Sequence, residues 1–294
     1  MKTAVTSYGN KITVNKKRVK ISAVNVVATV IFAVYCLGII VPLLYGFSIS
    51  LQTRAEYINF AYFPSVPQFK NYITAWRDLD SMGNSVPVMF LNSLWFSFGT
   101  VIVNVLCSAF TGYIVAKYKF PGRNFIYYFT IITMMIPIIG ALPSQIKYVA
   151  ALGGYNSPLY VLVMTLGMGG SFIIFYSTFK GVDWGYAEAA FIDGAGHFTI
   201  FFRIMLPQVI APMSALALTD FISAWANVET PIIFFPDLPT LASGLFNYET
   251  IVIKQDIFPT YYAGLFTCML PTVLLFVIFQ KNLMDIQIGG GLKG

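Results

Sequence analysis

The chain has 294 residues, of which 57% are hydrophobic and only 10% are charged, and its mean hydropathy is +0.73. Soluble domains carry roughly 25% charged residues, so this composition excludes a water-soluble globular protein and predicts a membrane protein. The formal net charge is +6. In a membrane protein such an excess is explained by cationic loops at an anionic membrane face, so membrane lipids are expected partners and nucleic acid is not.

Six intervals of the sequence are long and apolar enough to cross a bilayer. A spanning helix needs about 20 largely apolar residues, because the hydrocarbon core is about 30 Å thick and each helical residue rises about 1.5 Å. Only the fifth interval contains a charged residue, Asp220; in chain order the intervals are 21–53, 81–116, 124–146, 148–179, 204–228 and 257–280. We therefore predict an all-α protein with a six-helix transmembrane domain at residues 21–280.

The distribution of Lys and Arg predicts which side of the membrane each loop faces, since cytoplasmic loops carry an excess of cations. One side has thirteen, in the tail 1–20, the loop at 117–123, the segment 180–208 and the tail 281–294. The other side has five. Both termini and the segment 180–208 are therefore expected in the cytoplasm, and the loop 229–259 is expected outside the cell membrane.

The outer end of the third predicted span contains two prolines, Pro137 and Pro143. Proline removes a backbone donor and kinks or ends a helix. Two readings are open at this point. Either a kinked helix lies beside a transport pathway, where neighbours or a cavity satisfy the freed carbonyl, or an ordinary helix ends near Pro143.

A semi-polar stretch, which we call the EAA segment (residues 180–208), separates the fourth and fifth spans. Its alanine-rich residues 186–192 predict a short helix with Glu188 near the N-terminus, where a carboxylate suits the helix dipole. Gly194 and Gly196 are expected to end this helix, since glycine takes positive φ without penalty.

The second half of the EAA segment predicts another short helix. It is expected to begin near Phe198, and Pro207 is expected to end or kink it as the fifth span begins. Two short helices around a glycine turn would form a rigid docking knob parallel to the membrane. The small alanines of the first helix would leave room for a partner's surface.

The full pattern of this segment resembles the EAA signature of binding-protein-dependent ABC importer permeases. The matching positions, at the spacing of the signature, are Glu188, Ala189, Ala190, Gly194, Ile204, Leu206 and Pro207. Asp193 and the aromatic-Arg-Ile run before Leu206 are similar to the sugar-importer branch, that of the smaller maltose permease subunit. The likeness extends over most of the chain, with one departure: Ala226 follows Trp225 where that branch usually has asparagine.

The resemblance implies a type I ABC importer permease fold in a bacterial cytoplasmic membrane, with coupling helices on the cytoplasmic side. The EAA segment would sit in a cleft on a cytoplasmic ATPase, with Glu188 paired to a cation there and Gly194 setting the turn. The residues that the resemblance assigns to ATPase coupling are Glu188, Ala189, Ala190, Asp193, Gly194, Ile204, Leu206 and Pro207. The alternative is an ordinary interfacial loop in which Glu188 only caps a helix.

The implied complex contains a second, homologous permease, two ATPase subunits and an extracytoplasmic substrate-binding protein that would contact the loop 229–259. ATP and Mg²⁺ would be bound by the ATPases, and no cofactor by this chain. The sequence itself contains no Gly-x-x-x-x-Gly-Lys-Ser/Thr phosphate loop, His197 is its only histidine, and no nucleophile has a plausible base partner. We therefore expect neither an enzyme nor a metal site.

Asp220 is the only acid inside a predicted span. An intramembrane carboxylate is costly and tends to face a cavity or a partner. Asp220, Ser223 and Asn227 stand at i, i+3 and i+7, on one helical face, and could line a sugar pathway. A helix–helix hydrogen bond or a salt bridge to the partner permease explains Asp220 equally well. Trp225 and Phe221 could stack on a sugar ring, but aromatics fill 17% of the chain and packing is their simpler role.

The predicted function is that of a transmembrane subunit of an ATP-driven importer that moves an oligosaccharide or related carbohydrate by alternating access. ATP binding would close the ATPases, move the cytoplasmic helices and open a cavity between the two permeases outward. Two alternatives are an ABC permease for a non-sugar solute and a stand-alone secondary transporter. The second alternative is disfavoured because the sequence shows no internal repeat and only one intramembrane charge.

Overall fold

The computed structural model of the chain describes residues 4–5, 11–12, 23–136, 139–165, 168–255 and 257–290. These residues fall into two units, 1–47 and 48–294. Of the predicted N-terminal tail, only two short strands lie within the described residues, β1 (Ala4–Val5) paired antiparallel with β2 (Lys11–Ile12).

The described residues are mostly helical. In chain order the helices are α1 (Ala23–Ser50), α2 (Arg54–Ile58), α3 (Lys70–Asp78), α4 (Val86–Lys117), α5 (Arg123–Met135), α6 (Leu142–Ala151), α7 (Tyr160–Met164), α8 (Gly170–Gly181), α9 (Gly185–Ile192), α10 (His197–Ile200), a π-helical turn (Phe201–Met205), α11 (Leu206–Gln208), α12 (Ile210–Trp225), α13 (Glu229–Phe234), α14 (Leu241–Gln255) and α15 (Phe258–Gly290). A second antiparallel pair, β3 (Asp80–Ser81) and β4 (Asn84–Ser85), precedes α4. The predicted all-α class is confirmed.

Three helices in the described residues are long and apolar enough to cross a membrane: Val24–Ser50, Val86–Lys117 and Phe258–Gln280. They coincide with the first, second and sixth predicted spans. A fourth candidate is a bent pair, His197–Gln208 followed by Ile210–Trp225, with an angle of 82° between its limbs. The protein is therefore a multi-pass membrane protein, and the count of six spans stays a prediction.

The third and fourth predicted spans are divided into shorter helices. The 13 residues of α5 extend about 20 Å, which is shorter than the hydrocarbon core. Left-handed glycines lie at the breaks, Gly140 with φ 73° before α6 and Gly169 with φ 125° before α8. Pro143 stands in the first turn of α6, so it begins a helix instead of ending one. Pro137 lies outside the described residues.

The core of the second unit is organised around α4, which packs against both α8 and α12. Its start is fixed by Pro87 in the first turn, where a missing N–H costs nothing. At Gly112 the backbones of α4 and α8 approach so closely that a Cβ atom would lie 2.8 Å from the Cβ of Phe175. This contact sets the spacing of α4 and α8 close to the residues that pack against the EAA segment, Tyr113 and Phe179.

Two segments outside the predicted spans are folded, the one between the first and second spans and the loop 229–259. The first begins at α2, where Thr53 and Glu56 form a reciprocal capping box. Hydrogen bonds from the backbone of Thr53, and then of Ser65, lower the pKa of the Glu56 carboxyl to about 2. The second, in the loop 229–259, consists of the short helices α13 and α14.

The C-terminal helix α15 continues past residue 280, where the sequence predicts the cytoplasmic tail to begin, and ends at Gly290. Residues 291–294, which complete that tail, lie outside the described residues. Near its middle, α15 packs against α12, and this contact holds the fifth predicted span in the bundle.

Candidate functional site

The first helix of the EAA segment has one buried face and one exposed face. Ala187 and Ala190 are buried, at 0% and 8% exposed, whereas Glu188 and Ala189 are exposed. Ile192, at the end of the same helix, is 86% exposed. Glu188, Ala189 and Ile192 are thus exposed on one helix, and this face is the one available to a partner.

The buried face of α9 rests on a cluster of aromatic side chains. Ala187 and Ala190 belong to the same buried cluster as Tyr113 of α4, Phe179 of α8 and Phe201 of the π-helical turn. Small alanines let the helix approach these rings closely. Ala190 therefore packs against its own bundle and Ala189 lies on the exposed face, while the assignment of both to ATPase coupling stays a prediction.

The turn after α9 has the hydrogen bonds of a Schellman motif. Gly194 has φ 81°, its N–H donates to the carbonyl of Phe191, and the N–H of Ala195 donates to the carbonyl of Ala190. The left-handed position favours glycine, which has no Cβ to clash with its own backbone there. Gly196 behaves differently from the prediction, since its φ of −76° is open to any residue and it serves as the N-cap of α10.

The second limb of the EAA segment changes helical type before it bends. The N–H of Leu206 donates to the carbonyl of Phe201, five residues earlier. Pro207 has no N–H for the carbonyl of Arg203, so the usual bond four residues apart is missing there and the turn widens. The limb then meets α12 at 82°. Ile204 and Leu206 are half-buried, and Pro207 is exposed.

The end of α4 is tied to the EAA segment by polar contacts. The ammonium of Lys117 donates to the carbonyl of Val182. The hydroxyl of Tyr118 lies 2.8 Å from Nδ1 of His197 and 3.3 Å from the hydroxyl of Tyr113. None of these contacts was predicted, because Lys117 was counted only among the cations that set the orientation and Tyr118 was given no role.

A cavity of about 440 Å³ lies beside these contacts. Its lining is aromatic and apolar apart from the Tyr118 and His197 edge. A polar solute would find few hydrogen-bond partners there, so this cavity does not fit a hydrophilic substrate.

A second cavity, of about 270 Å³, lies between α4 and α12. We call it the Asp220 cavity. The described side chains with polar groups that line it are Thr100, Asn104, Tyr160, Thr165, Asp220, Ser223, Asn227 and Thr230. The structure thus brings together the three residues that the sequence placed on one helical face. Asn227 does so from beyond the end of α12, which stops at Trp225, and its side-chain oxygen accepts from the N–H of Thr230.

Asp220 is held by a residue of the neighbouring helix. The amide of Asn104 donates to Oδ2 of Asp220 at 2.7 Å, and the hydroxyl of Ser108 lies 3.4 Å from Oδ1 of Asn104. The described residues supply no ion pair for Asp220. The two interpretations of this residue, a helix–helix hydrogen bond and a cavity lining, are therefore both present.

Asn104 was missed by the sequence analysis, although a signal existed. Ser97, Thr100, Asn104 and Ser108 recur every three or four residues in α4, which places them on one face of the helix. These residues carry no charge, so the interval that contains them does not differ from an ordinary span in its charge pattern.

The aromatic pair beside Asp220 is part of the core. Trp225 and Phe221 are 2% and 3% exposed, and their rings stack with centroids 5.5 Å apart. The indole N–H of Trp225 donates to the carbonyl of Cys268 on α15. Packing is therefore their role, and stacking on a sugar ring is not available to them in this arrangement.

Comparisons with known proteins give a consistent result. Residues 108–284, which include the EAA segment and Asp220, match the family of binding-protein-dependent transport system inner membrane components. The chain is 26% identical to a diacetylchitobiose uptake system permease of Streptomyces coelicolor, over 83% of this chain and 81% of that protein. It is 30% identical to an arabinooligosaccharide transport system permease of Halalkalibacterium halodurans, over 70% of this chain and 74% of that protein.

Two further comparisons cover most of the chain. A galactooligosaccharide transport system permease of Bacillus subtilis is 29% identical over 87% of this chain and 91% of its own length. Among solved structures, a chain of a bacterial ABC transporter involved in import of the acidic polysaccharide alginate superposes with a TM-score of 0.72. That match covers 88% of this chain and 95% of the other at 16% identity, so it speaks for the fold alone.

Proposed function

The chain belongs to the family of binding-protein-dependent transport system inner membrane components and is a non-catalytic permease subunit of an ABC transport system; from this premise we propose that it carries an oligosaccharide or related carbohydrate into the cell. The similar proteins named above serve oligosaccharide uptake. The Asp220 cavity supports the same substrate class, because hydroxyl-rich solutes need many polar partners.

The coupling role is inferred from α9, which has one exposed face and one buried face. Glu188 and Ala189 are exposed on a helix whose other face is buried against aromatic side chains. A helix fixed in this way transmits a displacement to α4 and α8 without deforming. We propose that a cytoplasmic ATPase subunit grips this exposed face and that Glu188 pairs with one of its cations.

The remaining coupling residues lie partly at the edge of the contact surface and partly in the second limb of the EAA segment. Asp193 is exposed next to the left-handed Gly194, so it adds a second carboxylate at the edge of the proposed contact surface. Ile204 and Leu206 are half-buried in the second limb and transmit movement by packing, and Pro207 fixes the bend into α12.

The working complex contains this chain, a second homologous permease, two ATPase subunits and an extracytoplasmic binding protein. The ATPases bind ATP and Mg²⁺ and perform the hydrolysis. Both termini of this chain lie in the cytoplasm, in agreement with its distribution of Lys and Arg. The substrate passes Asp220, Ser223 and Asn227 when the cavity between the permeases is open.

The test is reconstitution of the whole complex in lipid vesicles, with a mixture of neutral trisaccharides read by mass spectrometry. Uptake is expected to require ATP and the binding protein. Glu188→Lys is expected to release the ATPase during purification and to abolish uptake, whereas Glu249→Lys on the exposed face of α14 is expected to retain the ATPase.

Three results would contradict the proposal. Uptake by this chain alone without ATP would identify a secondary transporter. Import of a non-sugar solute in place of every saccharide would identify a different substrate class. Retention of the ATPase by Glu188→Lys would remove the assigned contact.

A further inference from the structure

The charges around the Asp220 cavity are one-sided. Asp220 contributes a carboxylate to the lining, and among the described residues that line the cavity none is a lysine, arginine or histidine. The bond from Asn104 is to a neutral amide, so it fixes the carboxylate without neutralising it. In a partly buried site, a single charge acts over several ångströms with little screening.

The carboxylate is fixed at one oxygen. Oδ2 accepts the hydrogen bond from Asn104 at 2.7 Å. Asn104 is itself contacted by Ser108, one turn later in α4. This arrangement leaves Oδ1 of Asp220 as an acceptor for a ligand. An ionised carboxylate only accepts hydrogen bonds, so it suits hydroxyl groups and repels another carboxylate.

An aromatic surface completes the lining. Phe96 and Tyr160 line the cavity, unlike Phe221 and Trp225, although only 4% and 8% of their surface is exposed. Their ring centroids are 6.4 Å apart. Both also pack on Phe235, at 5.2 and 5.4 Å, so their orientation is fixed by the core. A pyranose or furanose ring presents apolar C–H groups as well as hydroxyls, and a cavity with rigid rings and polar side chains matches both.

The volume limits what the cavity holds. Pockets for drug-sized ligands span roughly 300–1,000 Å³, and this one, at about 270 Å³, lies just below that range. It therefore accommodates one ring of an oligosaccharide at a time. The remaining rings would extend into space that the partner permease encloses.

Taking these observations together, and resting on the proposed function, we propose that the Asp220 cavity binds one uncharged glycosyl unit and rejects units that carry a carboxylate. Asp220 is the specificity-determining residue, because its charge and its acceptor oxygen distinguish the two. Asn104 is a positioning residue, which acts through Asp220 by holding its carboxylate.

The first experiment measures the charge of the cavity directly. In the full complex, Cys36, Cys107 and Cys268 are replaced by alanine and Ser223→Cys provides a reporter thiol. Its rates of modification by a cationic and an anionic methanethiosulfonate reagent are compared, each normalised to a free thiol. We expect the cationic reagent to be favoured on the order of tenfold, and Asp220→Asn to bring the ratio close to one.

The second experiment uses the same thiol to detect the sugar. Maltotriose is the neutral probe and the galacturonic acid trimer is the acidic probe. We expect maltotriose to slow the modification of the reporter and the acidic trimer not to. Asn104→Ala is expected to keep the reagent ratio, since the charge remains, but to lose the protection by maltotriose. A merely structural role of Asn104 would change both readouts together.

Matched variants keep the result interpretable. Thr100→Cys on α4 is a second reporter, in case the first disturbs the fold. Thr219→Val, next to Asp220 but outside the cavity lining, is expected to change neither readout. A reagent ratio near one with Asp220 present, or equal protection by the two trimers, would overturn the inference. If both readouts hold and the complex still imports no saccharide with ATP, the proposed function fails and the charged cavity stands.

Discussion

The EAA segment and the Asp220 cavity differ in how far apart their residues lie in the sequence. In the segment, the proposed contact face is formed by neighbours in sequence, Glu188 and Ala189, which are exposed on a helix whose other face is buried. In the cavity, the central pair is Asn104 and Asp220, which are 116 residues apart and meet only in the folded bundle. A surface that a partner must recognise is compact in sequence, whereas a chamber between helices is assembled from several of them.

The largest expected effect comes from the turn of the EAA segment. Gly194→Val places a β-branched residue at φ 81°, which such residues essentially never adopt. The helices on either side of it would be displaced, and a misplacement of about 1 Å costs about 100-fold in a coupled step. ATP-dependent uptake by the reconstituted complex is the measurement, and we expect a fall of about 100-fold or more.

Gly196→Ala is the matched control for this variant. It lies two residues away, its φ is −76°, and an added Cβ would meet open space. We expect nearly normal uptake from it. An equal loss in the two variants would show that the segment tolerates no change at all, and the special role of the turn would be lost.

The next largest effect is expected at Gly112, where the backbones of α4 and α8 approach each other. At Gly112, an added Cβ would lie 2.8 Å from the Cβ of Phe175 and 3.0 Å from the backbone nitrogen of Tyr176. These atoms cannot rotate away, so Gly112→Ala should force α4 and α8 apart at a cost of about 1–3 kcal/mol. Thermal unfolding of the purified complex is the measurement, and a lower midpoint is expected.

Gly99→Ala, on the same helix, provides the comparison. Its Cβ would meet only Val161 side-chain atoms, the nearest at 3.4 Å, which is ordinary contact. We expect little change in the unfolding midpoint. If Gly99→Ala proved as damaging as Gly112→Ala, the close approach of α4 and α8 would not be the cause.

A third variant separates substrate passage from coupling. Ser223→Leu fills part of the Asp220 cavity with apolar volume and should lower uptake about tenfold, in the range of pocket substitutions of this size. The ATPase should remain bound, because the EAA segment is unchanged. Thr219→Leu, outside the cavity lining, should alter neither. Loss of the ATPase in Ser223→Leu would mean that the two regions are not separable.

The predictability of these regions from sequence follows from the same difference. The EAA segment was located together with its helices and its left-handed glycine, because all its determinants are local. Asp220 was identified because a charge in an apolar interval is conspicuous. Asn104 was not, since an uncharged amide leaves hydropathy almost unchanged and only the packing of α4 on α12 gives it a partner.

The third and fourth predicted spans are not single helices, and the reason why the sequence did not reveal this is similar. Counting uncharged residues cannot detect a left-handed glycine, and Gly140 and Gly169 interrupt the third and fourth intervals. The aromatic cluster that supports the EAA segment could not be predicted either, because its rings come from α4, α8 and the π-helical turn. Local pattern therefore identified the surface, and only tertiary packing revealed what supports it.

The smallest expected effect tests whether that support is cooperative. Tyr118→Phe removes the hydroxyl that lies 2.8 Å from Nδ1 of His197 and 3.3 Å from the hydroxyl of Tyr113. One hydrogen bond of this kind contributes about 0.5–1.5 kcal/mol, so we expect a small drop in the unfolding midpoint of the complex. Selectivity between maltotriose and the acidic trimer should not change, because the cavity lining does not include Tyr118. His197→Phe should cause a similar loss, and the double variant should lose little more than either single one, since both act on the same bond. Fully additive losses would mean that the two side chains stabilise the EAA segment independently, through ring packing alone.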